Sequence, residues 1–370
     1  MGALTTAAVL RDHGGPFSIE RLSIEDPRPD EVLVRIVACG VCQTDAHVRH
    51  GRIPTPTPVV LGHEGAGVVE KVGESVRSVA AGDHVVLSFN ACGSCATCWG
   101  GHPAYCDHLW PLNFAGARLD GSSALRSLDG EPVRGHFFGQ SSFATHAVAH
   151  ERNVVKAPKD LPLELLAPLG CGLQTGAGSI LIALGVTRGS SAVVFGVGAV
   201  GLAAIMAAKI AGAATIIAVD VNGQRLAQAA ALGATHGLDG SDPDRVAREI
   251  NQITGRGANF ILDTSGAPQS LKAGAAALAP LGKFGSVAYS EGTDAPLQAS
   301  ALFVGKSLQG IIQGDAVPQL FIPELIGHFR DGRFPIDQIV RIYDFDDIEQ
   351  AFADTASGSV VKAVLRMSAA

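Results

Sequence analysis

The stretch V-V-F-G-V-G-A-V-G, residues 193–201, decides the fold of this 370-residue chain. It places Gly196, Gly198 and Gly201 at Gly-x-Gly-x-x-Gly spacing, directly after an apolar strand pattern and at the start of a helical one. Such glycines let a strand turn sharply into a helix, and they let the backbone approach a pyrophosphate at the positive helix N-terminus. The spacing alone is weak evidence, because a glycine-rich turn also closes ordinary α/β crossovers.

The next strand pattern strengthens this interpretation. The segment T-I-I-A-V-D ends at Asp220, which lies 19 residues beyond Gly201. An acidic side chain at this distance binds both hydroxyls of an adenosine ribose and repels a 2′-phosphate. The pair of signals therefore predicts a dinucleotide site that favours NAD over NADP.

Around this motif the chain alternates apolar strand patterns with amphipathic helix patterns, which is typical of a parallel sheet covered on both faces. The predicted strands are residues 192–195, 215–220, 259–263, 283–288 and 307–312, and the predicted helices are residues 199–211, 223–232, 243–254 and 268–278. We therefore expect a doubly wound α/β (Rossmann) domain over residues 173–312.

The flanking regions have a different pattern. Short strand patterns with Gly and Pro between them cover residues 31–38, 67–72 and 84–89, and after residue 313 the chain carries helix patterns at 319–331 and 346–357 and a strand at 362–366. The expected second domain is mostly β and comprises residues 1–172 and 313–370.

Charge and hydropathy limit the partners. Lys+Arg 28 against Asp+Glu 35 gives a net charge of −7, without a basic run that would follow a phosphate backbone, so nucleic acid and anionic membranes are not expected partners. Mean hydropathy is +0.26. Residues 165–187 and 189–208 carry no charge, but their glycines and missing flanking cations argue against membrane spans. The N-terminus lacks a secretory apolar core, which favours a cytoplasmic protein.

Four of the seven cysteines form a cluster within residues 90–108. Cys92, Cys95, Cys98 and Cys106 have the spacing Cys-x2-Cys-x2-Cys-x7-Cys, in a polar, turn-rich lobe. Four thiolates suit a closed, structural zinc site, because they leave no open coordination position. An iron–sulfur cluster is an alternative that the residues alone leave open.

The remaining candidates for a metal are Cys42, Cys171 and His63, the last in G-H-E-G-A-G at residues 62–67. Two thiolates and one imidazole would leave a fourth zinc position open for water or substrate. These residues are far apart in sequence, so from spacing alone a buried thiol or a core histidine is the more common explanation for each of them.

Taken together, the motifs resemble the zinc-dependent medium-chain alcohol dehydrogenases. The resemblance rests on G-H-E-G-A-G-V-V-E-K-V-G-E-S-V from residue 62, the four-cysteine lobe, P-L-G-C-G-L-Q-T-G from residue 168 and the dinucleotide loop, in that order. Within the family, F-F-G-Q-S-S-F-A-T at residues 137–145 is most similar to the aryl-alcohol (benzyl-alcohol) dehydrogenases. The resemblance implies a GroES-like catalytic domain beside the Rossmann domain, and two zinc ions per subunit.

The resemblance also assigns roles to individual residues. It makes Cys42, His63 and Cys171 the catalytic zinc ligands, Asp45 the carboxylate that orients the imidazole, and Glu64 a group behind the metal. Zinc would lower the pKa of the bound alcohol, and the resulting alkoxide would drive hydride to the nicotinamide. Thr44 and His47 match the family's proton relay, although a turn residue and a surface histidine would look the same in sequence.

The resemblance also concerns several positions around the cofactor. Gln43 stands where many relatives place a cation that holds the pyrophosphate, so we expect weaker retention of the cofactor. Lys362 matches a basic residue that faces a phosphate, Arg225 one near the adenosine ribose, and Thr175 lies in the cofactor-binding stretch after Cys171. Cys39 has no role in the family and is predicted to be a core thiol on a strand.

The family positions that line the alcohol pocket carry aromatic residues: Phe89, Trp110, Phe137 and Phe138. Aromatic walls favour flat or extended apolar substrates, so primary aromatic or allylic alcohols are expected. Alternatives are a broad aliphatic or terpene alcohol dehydrogenase, a polyol dehydrogenase, a glutathione-dependent formaldehyde dehydrogenase, or a protein that binds zinc and NAD without catalysis. A homodimer or homotetramer would form through the strand at residues 307–312.

Overall fold

The computed structural model describes residues 3–289 and 302–367. Residues 1–2, 290–301 and 368–370 belong to the predicted domains but lie outside the described residues. The chain divides into two compact units. The first comprises Met1–Cys171, Val317–Gly327 and Ile336–Ala370, and the second comprises Gly172–Ala316 and His328–Pro335.

The first unit is mostly β. Its N-terminal part contains strands β1 (Ala3–Leu10), β2 (Phe17–Ile24), β3 (Glu31–Gly40), β4 (Val59–Val60), β5 (Gly65–Val72), β6 (His84–Leu87), β7 (Leu125–Ser127), β8 (Pro132–Val133), β9 (His146–His150) and β10 (Val154–Ala157). Four short helices lie among them: α1 (Gln43–Arg49), α2 (Ala96–Trp99), α3 (Leu109–Asn113) and α4 (Leu163–Leu166).

The second unit alternates strands and helices. Its elements are α5 (Gly172–Gly178), β11 (Ser191–Phe195), α6 (Ala199–Ile210), β12 (Thr215–Asp220), α7 (Gly223–Leu232), β13 (His236–Asp239), α8 (Pro243–Thr254), β14 (Ala258–Asp263), α9 (Pro268–Ala277), β15 (Leu278–Ser286) and β16 (Ser307–Gly310). The six strands are parallel and follow the order β13-β12-β11-β14-β15-β16. This is the order of a dinucleotide-binding doubly wound sheet, so the predicted fold class is confirmed.

The chain ends with α10 (Pro318–Arg330), β17 (Val340–Asp344), α11 (Ile348–Ser357) and β18 (Lys362–Arg366). Strand β18 pairs antiparallel with β3, so the C-terminal strand completes a seven-stranded sheet of the first unit. A five-stranded sheet in the order β4-β1-β2-β7-β8 accompanies it. Apolar side chains of both sheets form one buried cluster, which gives the metal-binding loops of this unit a rigid base.

Seven strands of the first unit lie outside the predicted strand segments, namely β1, β2, β4 and β7 to β10. After residue 190 two further strands, β13 and β17, were not predicted. Strand β13 buries only Leu238, and β17, at the edge of its sheet, buries only Tyr343. Neither strand has the continuous apolar run on which the prediction relied. Most of the predicted elements lie within a few residues of the observed ones, but β15 begins at Leu278, where the sequence predicted the last residue of a helix.

The return to the first unit occurs later than residue 313. Residues 313–316 pack with the second unit because Gln313 lies against α5, where its Oε1 accepts a hydrogen bond from Gln174 Nε2 at 3.0 Å. Residues 328–335 also belong to the second unit.

Within residues 3–289 and 302–367 no single helix is long and apolar enough to cross a membrane. One pair of helices joined by a bend, Leu163–Gly170 and Gly172–Ala183, reaches the length and apolar composition of a span only when the two are taken together.

Candidate active site

The four-cysteine lobe forms a compact sulfur cluster. The Sγ atoms of Cys92, Cys95, Cys98 and Cys106 all lie within 4.8 Å of one another, and the Cys92–Cys98 and Cys95–Cys106 pairs are 4.0 Å apart. Tetrahedral zinc with Zn–S bonds of about 2.3 Å requires sulfurs about 3.8 Å apart. The spacing therefore fits a closed zinc site.

Backbone amides of the same lobe point at the sulfurs. Cys92 Sγ accepts hydrogen bonds from the N–H groups of Ser94 (3.4 Å) and Cys95 (3.3 Å), and Cys106 Sγ accepts from Cys92 N at 3.3 Å. Burial acts to raise the pKa of Cys92, but these donors outweigh it and lower the pKa to about 6. Donors of this kind stabilise thiolates, the form of cysteine that binds metal.

A second ligand cluster lies in the first unit. One ligand atom each of Cys42, His63, Glu64 and Cys171 falls within 4.8 Å of the others. Cys42 precedes α1, His63 lies in the loop before β5, and Cys171 ends the first stretch of the unit. The three ligands that the resemblance implied are thus brought together, although up to 129 positions separate them in sequence.

His63 is fully buried, and its two ring nitrogens have different surroundings. Nδ1 lies 3.0 Å from Asp45 Oδ1, whereas Nε2 is buried and has no hydrogen-bond partner among the described residues. A buried nitrogen without a partner is costly, and coordination to a metal would satisfy it. Burial lowers the pKa of His63, but the carboxylate of Asp45 and then Cys42 outweigh that effect and raise it.

Asp45 connects two of the ligand loops. Its Oδ1 accepts from His63 and from Gly62 N at 3.1 Å, and its Oδ2 accepts from Cys42 N at 3.1 Å. The pKa of the Cys42 thiol lies well below its usual value, first because of the hydrogen bond with Cys171 and then because of the charge of His63. Two cysteine sulfurs and one histidine nitrogen form a donor set that zinc prefers.

Glu64 lies beside the ligands and has a cationic partner. Lys362 Nζ is 2.5 Å from Glu64 Oε2 and donates to Val41 O at 2.9 Å, and both charged side chains are buried. Burial raises the pKa of Glu64 to about 7 despite the charge of Lys362. In this structure the Lys362 ammonium pairs with Glu64. Its contact with a cofactor phosphate stays a prediction.

Helix α1 carries the residues predicted for the proton relay. Thr44 Oγ1 lies 3.8 Å from Cys42 Sγ, and His47 is half-buried one turn further along. Burial and then the charge of Arg52 lower the pKa of His47. Gln43 is exposed at the start of the same helix.

Aromatic rings continue outward from the metal cluster. The Phe138 ring stacks on His63 at 4.4 Å, and Phe137 meets His63 edge-on at 5.5 Å. Phe114, which the sequence analysis missed, contacts Phe138 at 5.1 Å and stacks on Trp110 at 4.5 Å. Its position four residues after Trp110, across α3, is the signal that could have identified it. Phe89, also predicted for the pocket, is buried after β6.

The glycine-rich loop of the second unit has the geometry that the motif predicts. Gly196 has φ +80°, and a Cβ on Gly201 would lie 2.0 Å from Gly196 O, so both positions require glycine. A Cβ on Gly198 would meet only Arg225 Nη1, at 3.9 Å, which leaves open space at the N-terminus of α6. That space is where a pyrophosphate binds in this type of loop.

Asp220 ends β12 beside this loop. Its carboxylate accepts hydrogen bonds from Val197 N and Asn222 N, both at 2.8 Å. Arg225 follows on α7, with a buried Nε for which the described part of the chain offers no hydrogen-bond partner. Thr175 lies on α5 with its Oγ1 3.5 Å from Gln313 Oε1. Cys39 is a fully buried thiol on β3, as predicted.

Fold, metal clusters and dinucleotide loop together define a zinc-binding dehydrogenase. The chain matches the model for the alcohol dehydrogenase GroES-like domain over residues 28–159 and that for the zinc-binding dehydrogenase over residues 199–327. It belongs to the zinc-dependent medium-chain alcohol dehydrogenase family.

Among its relatives is the geraniol dehydrogenase of Castellaniella defragrans, which is 48% identical over 363 residues, 97% of this chain and 96% of the relative. A solved alcohol dehydrogenase zinc-binding domain protein from Burkholderia ambifaria has a TM-score of 0.97 and 52% identity, and covers 99% of this chain and all of its own. The benzyl alcohol dehydrogenase of Acinetobacter calcoaceticus has a TM-score of 0.94 and 46% identity, with the same coverage.

Proposed function

We propose that this chain is an NAD-dependent alcohol dehydrogenase that interconverts primary aromatic or allylic alcohols and their aldehydes at a zinc ion held by Cys42, His63 and Cys171. The observation that carries the proposal is the buried, unpartnered Nε2 of His63, which shares one cluster with two thiols. When bound, zinc supplies Lewis-acid chemistry that lowers the pKa of the alcohol hydroxyl. Cys92, Cys95, Cys98 and Cys106 hold a second, structural zinc.

The chain's own residues remove the proton. The Thr44 hydroxyl, next to the ligand Cys42, accepts it from the alcohol, and His47 on the same helix is the base that releases it to solvent. The lowered pKa of His47 keeps its imidazole neutral near pH 7, so that it can take up a proton. Asp45 keeps His63 in the tautomer whose Nε2 faces the metal.

The cofactor is proposed to be NAD, with Gly196, Gly198 and Gly201 at the pyrophosphate and Asp220 at the adenosine ribose. The carboxylate of Asp220 would repel the 2′-phosphate of NADP. Exposed Gln43 adds no charge to cofactor binding, which favours rapid exchange of the cofactor. Steady-state kinetics with both cofactors test this point: kcat/KM is expected to be higher with NAD, and a preference for NADP would contradict it.

The substrate class is proposed from the aromatic cluster, which we define as Trp110, Phe114, Phe137 and Phe138. These rings extend from the ligand His63 and would pack against a flat or extended apolar alcohol. The names of two relatives, a geraniol dehydrogenase and a benzyl alcohol dehydrogenase, support the same class.

A comparison of benzyl alcohol, geraniol and ethanol tests the substrate class. Burying a ring or an isoprenoid chain is worth about 1.5–3 kcal/mol, so kcat/KM for benzyl alcohol or geraniol is expected to exceed that for ethanol by roughly 10- to 100-fold. Phe138→Ala should reduce the ratio of kcat/KM for benzyl alcohol or geraniol to that for ethanol. Trp99 is an exposed aromatic residue of the four-cysteine lobe, and Trp99→Ala should leave the ratio unchanged. A preference for ethanol would rule out the proposed class.

A terpene alcohol is a narrower candidate among the allylic alcohols, because the geraniol dehydrogenase matches almost the whole chain. The same three-alcohol experiment separates aromatic from terpene preference: a terpene enzyme would give a higher kcat/KM with geraniol than with benzyl alcohol. Polyols would need polar groups where the aromatic cluster lies.

We also propose that the chain forms a homodimer or homotetramer through β16. This strand ends the order of its sheet, and Leu308 on the strand and Ile312 two residues after it are exposed. An exposed apolar edge strand favours pairing with a second copy. Light scattering is expected to give a mass of two or four chains, with Leu308→Asp shifting it towards one; a monomeric wild type would contradict the proposal.

A further inference from the structure

The loop that packs on the zinc ligand His63 holds an unusual backbone conformation. Phe138 (φ 51°) and Ser141 (φ 55°) both lie in the left-handed backbone region, which residues other than glycine rarely adopt. Gln140, between them, is fully buried. A strained loop built around a buried amide needs an explanation, since this conformation costs about 1–3 kcal/mol for each such residue.

Gln140 uses its whole hydrogen-bonding capacity on its surroundings. Nε2 donates to His63 O and to Ser88 O, both at 3.0 Å. Oε1 accepts from Gly65 N at 3.1 Å and from Ser142 Oγ at 2.7 Å. The two N–H groups of the side-chain amide face two backbone carbonyls, and the amide oxygen faces one N–H and one O–H group. Only glutamine in this orientation therefore satisfies all four partners. The amide thus binds the backbone on both sides of Glu64, starting at the ligand His63.

Ser88, one of these partners, continues the network to a second ligand. Its Oγ donates to Gly170 O at 2.7 Å, and Gly170 directly precedes Cys171. A Cβ on Gly170 would lie 2.1 Å from Leu87 O, so the chain before Cys171 approaches the end of β6 as closely as only glycine allows. Ser88 therefore connects the Cys171 segment to the segment that Gln140 binds.

We propose that Gln140 and Ser88 are positioning residues that hold the main chains of two zinc ligands, His63 and Cys171, in register for metal binding. The inference rests on the proposed function, because it presupposes zinc at Cys42, His63 and Cys171. Asp45 orients the imidazole and the Cys42 turn through side-chain contacts, whereas Gln140 and Ser88 act on carbonyl groups of the backbone. The strained backbone of Phe138 and Ser141 is tolerated because it places the Gln140 amide where it can make these four hydrogen bonds.

The test compares Gln140→Met and Ser88→Ala with Thr5→Val in the full-length, zinc-loaded protein. Met keeps the length of glutamine and removes all four hydrogen bonds, and Ser88→Ala removes one hydroxyl. Thr5 is a matched control, because it is a buried hydroxyl of the same unit that bonds Thr145 Oγ1 and His146 N, both at 3.1 Å, and contacts neither ligand. Zinc release into a chelator is followed over time, with zinc in the four-cysteine lobe as an internal reference.

Loss of a group that orients metal ligands commonly costs 10- to 100-fold in metal affinity. We therefore expect Gln140→Met and Ser88→Ala to release one zinc about 10- to 100-fold faster than wild type, with release of the other unchanged and Thr5→Val equal to wild type. Cobalt in place of zinc should show a shifted visible spectrum in both variants. If Gln140→Met fails to fold, Ser88→Ala alone decides.

The outcomes separate this inference from the proposed function. If Ser88→Ala and Gln140→Met release zinc at the wild-type rate, or no faster than Thr5→Val, the positioning role is refuted while the zinc site stands. If wild type and Cys42→Ser hold the same amount of zinc, the proposed site itself fails.

Discussion

At the scale of single residues, the proposed zinc site depends on one carboxylate that accepts hydrogen bonds from three donors. Asp45 accepts hydrogen bonds from the His63 ring, Gly62 N and Cys42 N while it is fully buried. Each of these bonds is charge-assisted and therefore stronger than a neutral one. The carboxylate of Asp45 thus fixes the tautomer of His63 and the backbone conformation at Cys42.

The variant Asp45→Asn should weaken zinc binding at this cluster by about 10- to 100-fold, because the asparagine –NH₂ group would face the donor of Cys42 or of His63. Zinc retained after dialysis against a chelator, together with kcat/KM for alcohol oxidation, measures the effect. Asp26→Asn, which removes an exposed partner of Lys71, is the control. Wild-type zinc retention in Asp45→Asn would show that the charge of Asp45 is not needed.

A second residue-scale prediction concerns stability at low pH. Burial, followed by the charge of Arg118, lowers the pKa of His136 to about 3, whereas an unfolded histidine titrates near 6.5. Between these values the unfolded chain binds more protons than the folded chain. His136 therefore does not lower the free energy of unfolding above about pH 6.5. From there towards pH 3 its protonation in the unfolded chain lowers that free energy by roughly 1.4 kcal/mol per pH unit.

His136→Gln should remove this slope while glutamine still offers an acceptor to Ala124 N, which His136 Nε2 binds at 3.3 Å. Urea unfolding at pH 4.5, 5.5 and 6.5 measures the difference between variant and wild type, and zinc release affects both proteins equally. Above pH 7.5 the two should vary with pH in the same way. Parallel curves over the whole range would contradict the lowered pKa.

At the scale of elements, the turn from β11 to α6 depends on close packing of its own backbone. In Gly201→Ala the new Cβ would meet Gly196 O at 2.0 Å, so the turn must open, at a cost of about 1–3 kcal/mol. We expect at least tenfold weaker NAD binding, measured by quenching of protein fluorescence or by calorimetry. Gly223→Ala, at the start of α7 with nothing within 4 Å of its Cβ, is the matched control. Equal affinities in the two variants would contradict this account of the loop.

Elements with a local sequence signal were predictable, and those determined by distant contacts were not. The glycine loop, Asp220 and the four cysteines each carry their meaning within a few residues. Gln140 does not, since its bond to His63 joins positions 77 apart in the chain. Strand β13 was missed because a single buried leucine does not make a strand pattern.

At the scale of the whole molecule, the sequence predicted two domains but not where the chain returns to the first. Residues 328–335 belong to the second unit although they begin within the last turn of α10, a helix that starts in the first unit. Such an assignment depends on tertiary packing, for which a helix pattern carries no signal. The metal ligands illustrate the same limit, because only the family resemblance connected Cys42, His63 and Cys171 before the structure placed them within one cluster.

The most direct test of the account is the zinc content of the purified protein and of Cys42→Ser, measured together with NADH formation from benzyl alcohol or geraniol. The account predicts two zinc ions per chain in the wild type, one in Cys42→Ser, and a loss of activity with the missing ion. Cys98→Ser should instead lose zinc together with stability of the four-cysteine lobe. Full activity of Cys42→Ser would contradict the catalytic zinc site.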